Sequence, residues 1–172
     1  MAILEILEYP NPELKKISQP VEEVDKEIKT LVSDMLETMY NAPGIGLAAP
    51  QVGALKRVIV VDIEYREGKG NPIALINPEI TEYSGETTFE EGCLSVPEFT
   101  AEVDRYERVT VNGLNERGEK VELQCGGLLA IALQHEIDHL NGILFVDRIG
   151  SVKRDIFKRK LKKLSRKGKA SL

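Results

Sequence analysis

Residues 127–140 decide the fold, and they read Gly127-Leu-Leu-Ala-Ile-Ala-Leu-Gln-His-Glu-Ile-Asp-His-Leu140. The first two turns are apolar on all sides, which indicates a helix buried inside the protein. The only two histidines of the chain, His135 and His139, lie four residues apart and therefore share one face of this helix. With Glu136 between them they form the H-E-x-x-H pattern, which predicts a hydrolytic metal site.

The third protein ligand distinguishes between classes of such a site. One class of zinc peptidase extends the pattern to H-E-x-x-H-x-x-G-x-x-H. Gly142 fits this extension, but Phe145 occupies the third histidine position. Another class uses a later glutamate, and no glutamate follows His139. A standard zincin is therefore disfavoured, and a zincin-like metallopeptidase remains as the alternative enzyme.

The chain has two cysteines, Cys93 and Cys125. Its first residues lack the basic region and apolar core of a signal peptide, so we expect a cytoplasmic protein without a structural disulfide. A thiol is then available for metal binding. Cys93 follows Gly92, which permits unusual backbone geometry, and we expect Pro97 to end local strand pairing. Cys125 is predicted to be a small buried apolar side chain.

A glycine-rich segment at residues 44–53 superficially matches the dinucleotide-binding fingerprint. That fingerprint needs a strand before it and a helix after it. The preceding residues instead predict a helix with Asp25 as its N-cap and apolar residues along one face, and Pro50 interrupts any helix that would follow. We therefore expect this segment to lie close to an extended substrate backbone.

The remaining pattern predicts an α+β fold in one domain. The central helix should run from about Gly127 to Leu140 and stop at Asn141-Gly142. A chain of 172 residues can bury a sizeable core, and no apolar run approaches membrane-spanning length. Strands are predicted at residues 57–62 and 73–76, with a loop at 68–72 between them, and at 109–114 and 120–124, which form a hairpin.

Three segments, at residues 44–53, 91–95 and 134–142, resemble the signature motifs of the peptide deformylase family. They occur in the family's order, and none of their functional positions is altered. The resemblance extends to about residue 150. It implies antiparallel β-sheets wrapped around the central helix, plus a C-terminal helix. It also implies a hydrolase that removes the N-formyl group from the N-terminal formylmethionine of nascent polypeptides and releases formate.

The same resemblance implies a role for each functional residue. Glu136 matches the general acid/base, while Gln51 and the backbone N–H of Leu94 match the donors that stabilise the developing oxyanion. One thiolate and two neutral imidazoles leave a divalent ion with a net positive charge and an open position for water. Three residues match the metal ligands: Cys93, His135 and His139.

The resemblance also implies supporting residues and a cofactor. Glu91 is expected to pair with Arg105, and Asp138 is a candidate to orient a ligand imidazole or a backbone group, the alternative being a plain surface charge. One divalent ion per chain is expected, with Fe²⁺ favoured natively and Zn²⁺, Ni²⁺ or Co²⁺ as alternatives. The substrate pocket is expected to be lined by Ile45, Gly46, Gly92, Leu128, Ile131 and Ala132, together with the His135 ring.

Charge is divided unevenly along the chain. Residues 153–172 hold ten of the 23 lysines and arginines and a single acid, giving +9, so the rest of the chain carries −14. We predict that residues 1–150 are the catalytic domain and that residues 151–172 form a basic helical tail of the same domain. The apolar stripe that docks this helix is predicted to be Ile156, Phe157, Leu161 and Leu164.

The basic tail, residues 151–172, is the segment from which we predict a macromolecular partner. Some deformylases dock on the ribosome through such a helix, so the resemblance predicts ribosome contact beside N-formylmethionyl nascent polypeptides; a solvated basic face is the alternative. The low aromatic content, with no tryptophan, argues against a stacking platform for nucleic acid. We expect neither DNA nor a membrane as a partner. A ribosome-associated binding module with a structural metal is disfavoured because closed structural zinc sites use four protein ligands.

Overall fold

The computed structural model describes residues 2–170 and, for side chains, residues 2–163. Single turns of 3-10 helix join several of its elements. In chain order the helices and strands are α1 (Lys26–Asn41), β1 (Gly46–Ala48), β2 (Val58–Val61), β3 (Ile73–Ser84), β4 (Thr87–Cys93), β5 (Val96–Arg105), β6 (Arg108–Leu114), β7 (Lys120–Gly126), α2 (Gly127–Leu140) and α3 (Ser151–Ala170).

The strands form two antiparallel sheets. A five-stranded sheet has the order β1-β2-β3-β6-β7, and β4 and β5 make a separate two-stranded sheet. The predicted hairpin at β6 and β7 is present, with Leu114 paired to Lys120 across its turn. The α+β prediction is thus confirmed, including the antiparallel sheets and the C-terminal helix.

Strand β2 explains how the large sheet is sandwiched between two helices. Its four residues are buried on both faces, which accounts for the unbroken apolar run in the sequence. Val58 and Val60 belong to the core shared with α1, whereas Ile59 and Val61 belong to the core shared with α2. Successive side chains point to opposite faces of a strand, so one short strand packs against both helices.

Helix α2 is the buried helix that the sequence predicts. Every residue from Ala130 to Leu140 is buried, including both histidines and Glu136. A carbonyl group at its C-terminal end is paired with donors outside the helix: the Leu140 carbonyl accepts hydrogen bonds from the Ser18 N–H and from Arg57 Nη1, the latter at 3.1 Å. A cation at this end also complements the helix dipole. The central helix is therefore fixed at the end that carries His139.

Helix α1 begins where predicted. The Asp25 side chain accepts a hydrogen bond from the Ile28 N–H at 3.0 Å, which satisfies one of the free amides of the first turn. The buried apolar residues then follow at helical spacing along one face and pack on the large sheet. They are Ile28, Val32, Met35 and Met39.

The small sheet differs from the prediction. Pro97 does not end strand pairing, because it lies within β5, directly after Val96, which pairs with Cys93. In a two-stranded sheet each strand has a free edge, and a residue without an N–H is tolerated there. Charged and polar residues dominate this hairpin, so the apolar periodicity used to predict the other strands gave no signal for it.

Helix α3 packs on the body through Phe157, which is 3% exposed and contacts the Tyr9 and Phe99 rings at centroid distances of 5.2 and 4.9 Å. Leu161, one turn later, is partly buried against the same core. Ile156 was predicted in this stripe but is 53% exposed, because it points about 100° away from Phe157. Leu164 lies outside the residues whose side chains are described. In the described part of the chain, no helix is long and apolar enough to cross a bilayer.

Candidate metal centre

Three potential ligand atoms converge between the end of β4 and helix α2. His139 Nε2 lies 3.4 Å from Cys93 Sγ and 3.2 Å from His135 Nε2. All three ligand atoms lie within 4.8 Å of one another, and they form the one such cluster found among the described residues. An ion about 2.0–2.3 Å from each atom fits these separations, since those are ordinary lengths for bonds from zinc to nitrogen and sulfur.

The histidine tautomers suit metal binding. His135 Nδ1 lies 2.9 Å from Glu91 Oε1, and a carboxylate there makes Nδ1 the donor and leaves the Nε2 lone pair for the ion. Burial lowers the pKa of His139 well below its ordinary value, so this ring is neutral as a ligand must be. The donor set of one thiol and two imidazoles therefore fits a divalent ion.

Glu136 lies beside this cluster as a buried carboxyl group. Burial raises its pKa to about 7, which is the range that suits a proton-transferring group near neutral pH. Among the described residues, Glu136 Oε1 has no hydrogen-bond partner although it is buried. Buried polar atoms are rarely left unpaired, so this oxygen points to a ligand at the site.

Gly46 makes room for that carboxyl group. A Cβ atom at residue 46 would lie 2.9 Å from Glu136 Cδ, closer than real side chains approach. The glycine-rich segment thus packs directly on the catalytic candidate. Helix α1 precedes it, Gly46 itself lies in β1, and a single 3-10 turn follows. This order excludes the dinucleotide-binding interpretation, which needs a strand and then a full helix.

Gln51 points its amide group at the cluster. Its Oε1 accepts the Ala48 N–H at 2.9 Å, while Nε2 donates to Ser95 Oγ at 3.0 Å and lies 3.5 Å from Cys93 Sγ. Leu94 follows Cys93 in the turn between β4 and β5 and lines the same cavity. Sequence reasoning did not identify Ser95, which is fully buried and holds the Gln51 amide in place.

Glu91 and Arg105 form the pair that the resemblance implies. Arg105 Nε and Nη2 each lie 2.7 Å from a different oxygen of Glu91, so the contact is bidentate. Burial would raise the pKa of Glu91, but the hydrogen bonds from Arg105 and His135 outweigh it and hold the pKa below its ordinary value. Glu91 is therefore an anion that anchors the His135 ring.

Asp138 does not have the contacts predicted from the sequence, which were with a ligand imidazole or a backbone group. Its carboxylate contacts neither histidine; Oδ2 accepts from Arg105 Nη1 at 2.7 Å, and both oxygens accept from Arg148. The side chain is buried rather than a plain surface charge. Asp138 therefore acts on the arginine behind Glu91 and not on a ligand imidazole, because both of its oxygens accept from guanidinium groups.

A cavity of about 400 Å³ opens onto the cluster. Phe89 and Arg66, which the sequence analysis did not identify, lie on its wall. Phe89 shares a strand face with Glu91 because the two residues alternate along β4, so Phe89 could have been identified only after β4 had been predicted as a strand. All six residues predicted for the substrate pocket line this cavity: Ile45, Gly46, Gly92, Leu128, Ile131 and Ala132.

Two other residues with side chains able to bind a metal, Cys125 and Asp147, lie outside the cluster. Cys125 is half-buried, its thiol points at the Val109 carbonyl, and burial raises its pKa. Asp147 accepts the Leu144 N–H and pairs with Lys15. Neither residue belongs to the group of converging ligand atoms. Cysteine is thus the third ligand candidate, which separates this site from the zincins.

This fold and this site define an α+β metal-dependent hydrolase with a Cys/His/His cluster. The chain belongs to the polypeptide deformylase family, whose sequence model matches residues 3–155. It is similar to the peptide deformylase of Thermodesulfovibrio yellowstonii, at 56% identity over 94% of this chain and 98% of that one.

Solved structures give the same assignment. The peptide deformylase of Legionella pneumophila superposes with a TM-score of 0.90 at 50% identity, covering 96% of each chain. The enzyme of Ehrlichia chaffeensis in complex with actinonin superposes with a TM-score of 0.90 at 42% identity, covering 96% of this chain and 99% of that one. The chain is therefore an enzyme of the hydrolase class that requires a divalent metal ion.

Proposed function

We propose that Cys93, His135 and His139 hold one divalent ion at which this enzyme carries out the reaction of its family. That reaction removes the N-formyl group from the N-terminal formylmethionine of nascent polypeptides and releases formate. The observation that carries the proposal is the convergence of the three ligand atoms beside the buried, unpaired oxygen of Glu136. A purely structural ion would have no use for that carboxyl group.

When bound to Cys93, His135 and His139, the ion would supply Lewis acidity for the formyl carbonyl and would lower the pKa of water toward neutral pH. A thiolate with two imidazoles suits zinc and ferrous iron alike. We favour Fe²⁺ as the native ion because of the family resemblance. Zn²⁺, Ni²⁺ or Co²⁺ would occupy the same donor set.

The residues of the chain supply proton transfer and oxyanion stabilisation. Glu136 accepts a proton from the attacking water and delivers it to the departing amine, a role for which its raised pKa is suited. Gln51 Nε2 and the Leu94 N–H donate to the oxygen that becomes negative in the tetrahedral transition state. Ser95 keeps the Gln51 amide turned toward this point.

The peptide part of the substrate lies along the cavity between two sheet edges. β1 is the outer strand of the large sheet, and β4 belongs to the two-stranded sheet, so each has a free edge for an extended peptide. The methionine side chain enters the apolar part of the cavity. That part is lined by Ile45, Leu128, Ile131 and Ala132.

The reaction itself is tested by a pair of peptides. A formyl-methionyl tripeptide should release formate, whereas the acetyl-methionyl peptide of the same sequence should react far more slowly, because its extra methyl group meets the packed ligands. Enzyme purified without oxygen and analysed for metal is used for both, with formate measured enzymatically. Cleavage of an internal peptide bond in place of formate release would support the zincin-like metallopeptidase instead.

We also propose that residues 1–150 form the catalytic unit and that residues 151–172 belong to the same domain. Support comes from Phe157, which is buried between Tyr9 and Phe99. The surface of α3 that is not packed on the body carries exposed basic residues. We propose that these residues contact ribosomal RNA in the cytoplasm, where nascent chains are made. They include Lys153, Lys158, Arg159, Lys162 and Lys163.

Ribosome binding is expected to depend on these charges. A full-length variant with glutamine at four basic positions of α3 should lose salt-sensitive co-sedimentation with ribosomes, because fewer counterions are then released on binding. Deformylation of a short peptide should persist, since the proposed catalytic residues all precede residue 150. Phe157 and Leu161 are kept, so the helix stays docked. The four positions are Lys158, Arg159, Lys162 and Lys163.

A matched control removes the same charge from another surface. Glutamine at Lys26, Lys29, Lys56 and Lys69, all exposed and distant in sequence from α3, should leave co-sedimentation unchanged. Equal loss in both variants would indicate an effect of net charge only. Retention of binding in the α3 variant would assign the tail to the alternative, a solvated basic face.

A further inference from the structure

A chain of hydrogen-bonded groups runs from the metal centre to the surface, from the His135 ring through the alternating charges of Glu91, Arg105, Asp138 and Arg148. Its outer member, Arg148, was not identified from the sequence. We infer that Arg148 is a positioning residue for His135: it neutralises Asp138, so that Arg105 stays fully engaged with Glu91 and Glu91 stays on the His135 ring. The inference rests on the proposed role of His135 as a metal ligand.

The outer contacts are short and bidentate. Arg148 Nη2 lies 2.7 Å from Asp138 Oδ1, and Arg148 Nε lies 2.5 Å from Oδ2. Oδ2 also accepts from Arg105 Nη1 at 2.7 Å. A planar guanidinium fork matches the two oxygens of a carboxylate, which fixes both partners in one orientation. Asp138 thus receives most of its hydrogen bonds from Arg148 rather than from Arg105.

Neutralisation of Asp138 by Arg148 matters because the charged groups closer to the metal centre are buried. The side chains of Arg105, Glu91 and Asp138 are 3%, 4% and 11% exposed. With Arg148 in place, two carboxylates face two guanidinium groups. Without it, two buried carboxylates share the single cation of Arg105, and a buried charge that loses its partner is costly. Asp138 would then draw Arg105 away from Glu91 and loosen the support of His135.

Arg148 itself can be replaced without opening the core. Its side chain is 41% exposed, and it lines a second cavity, of about 730 Å³, on which Arg105 and Asp138 also border. This cavity contains none of the proposed metal ligands. Removing the Arg148 side chain therefore enlarges a space that is already open, so an effect at the metal centre would have to travel through the ion pairs.

The rate at which the loaded enzyme loses its ion to a chelator measures this support. Arg148→Ala should release Zn²⁺ or Co²⁺ about 10-fold faster than the parent, at the low end of what loss of a partner behind a metal ligand costs. Arg148→Lys keeps the positive charge but loses the planar guanidinium group, so its rate of metal release should lie between the rates of the parent and of Arg148→Ala. Metal content before the chelator is added shows that each variant starts fully loaded.

A second substitution separates positioning from general loosening. If Asp138 harms the site by attracting Arg105, then Asp138→Asn should slow metal release when added to Arg148→Ala, because the competing charge is gone. A merely structural role of Arg148, such as anchoring the segment before α3, predicts no rescue. The Asp138→Asn single variant completes the double-mutant cycle.

Arg154 offers the matched control. It lies close to Arg148 in the chain but binds only the backbone carbonyls of Asp147 and Ile149, so Arg154→Ala should release metal at the parent rate. A parent-like rate in Arg148→Ala, or a fast rate that Asp138→Asn does not slow, would overturn the inference. A parent enzyme that holds no stoichiometric metal would contradict the proposed function instead.

Discussion

Replacing Cys93 with alanine is expected to abolish metal retention and to reduce formate release to background. Cys93 supplies the one thiolate among the three converging ligand atoms, and the two neutral imidazoles left behind make a weak site for a divalent ion. The fold should survive, because the pairing of residue 93 with Val96 uses backbone atoms. Metal analysis after purification without oxygen, together with the formate assay, measures both effects.

Cys125→Ala is the matched control for this experiment. Its thiol is half-buried, lies outside the ligand cluster and contacts a carbonyl group of the large sheet. Both metal content and activity should equal those of the parent. A Cys93→Ala protein with one equivalent of tightly held metal would refute the ligand assignment. Loss of metal from the Cys125→Ala protein would indicate that Cys125 takes part in metal binding, which the assignment excludes.

Glu136→Gln is expected to keep the ion but to lower turnover by about 100-fold or more, the contribution usual for a general acid/base. The amide has the shape of the carboxyl group and so fits against Gly46, where no larger space exists. It cannot accept the proton of the attacking water. Turnover measured at equal metal content therefore isolates proton transfer from coordination.

An exposed glutamate provides the comparison. Glu82 lies on β3 with its side chain in solvent, and Glu82→Gln should alter neither turnover nor metal content. Near-normal turnover of Glu136→Gln would exclude Glu136 as the proton carrier. Loss of the metal ion from this variant would show that Glu136 supports coordination, which the proposed mechanism does not allow.

Helix α2 shows how much of the fold follows from local sequence. Its apolar first turns, the i and i+4 histidines and the stop at Asn141 and Gly142 predict its limits and its burial, and the structure has the helix over Gly127–Leu140. The same holds for β2, whose unbroken apolar run is buried on both faces, and for the Asp25 cap of α1. In each case the signal lies within one turn or one strand.

The β4–β5 hairpin shows where local signals end. Charged and polar residues make up much of its strands, and Pro97 argues against pairing, so the unbroken apolar run that predicted β2 is missing here. Only packing against the central helix decides that Cys93 lies within 3.4 Å of His139. The sequence motifs identified the residue through family resemblance, whereas the distance is a property of the tertiary fold.

The sequence by itself determined the elements and motifs whose signals are local: the buried helix, its two histidines and Glu136, the helix caps and the apolar strands. Only the tertiary structure decided which distant groups meet. Asp138 looked like a possible partner of a histidine but binds Arg105 and Arg148. The physical reason is that periodicity reports which face of an element is buried, while contacts between elements depend on how those faces pack together.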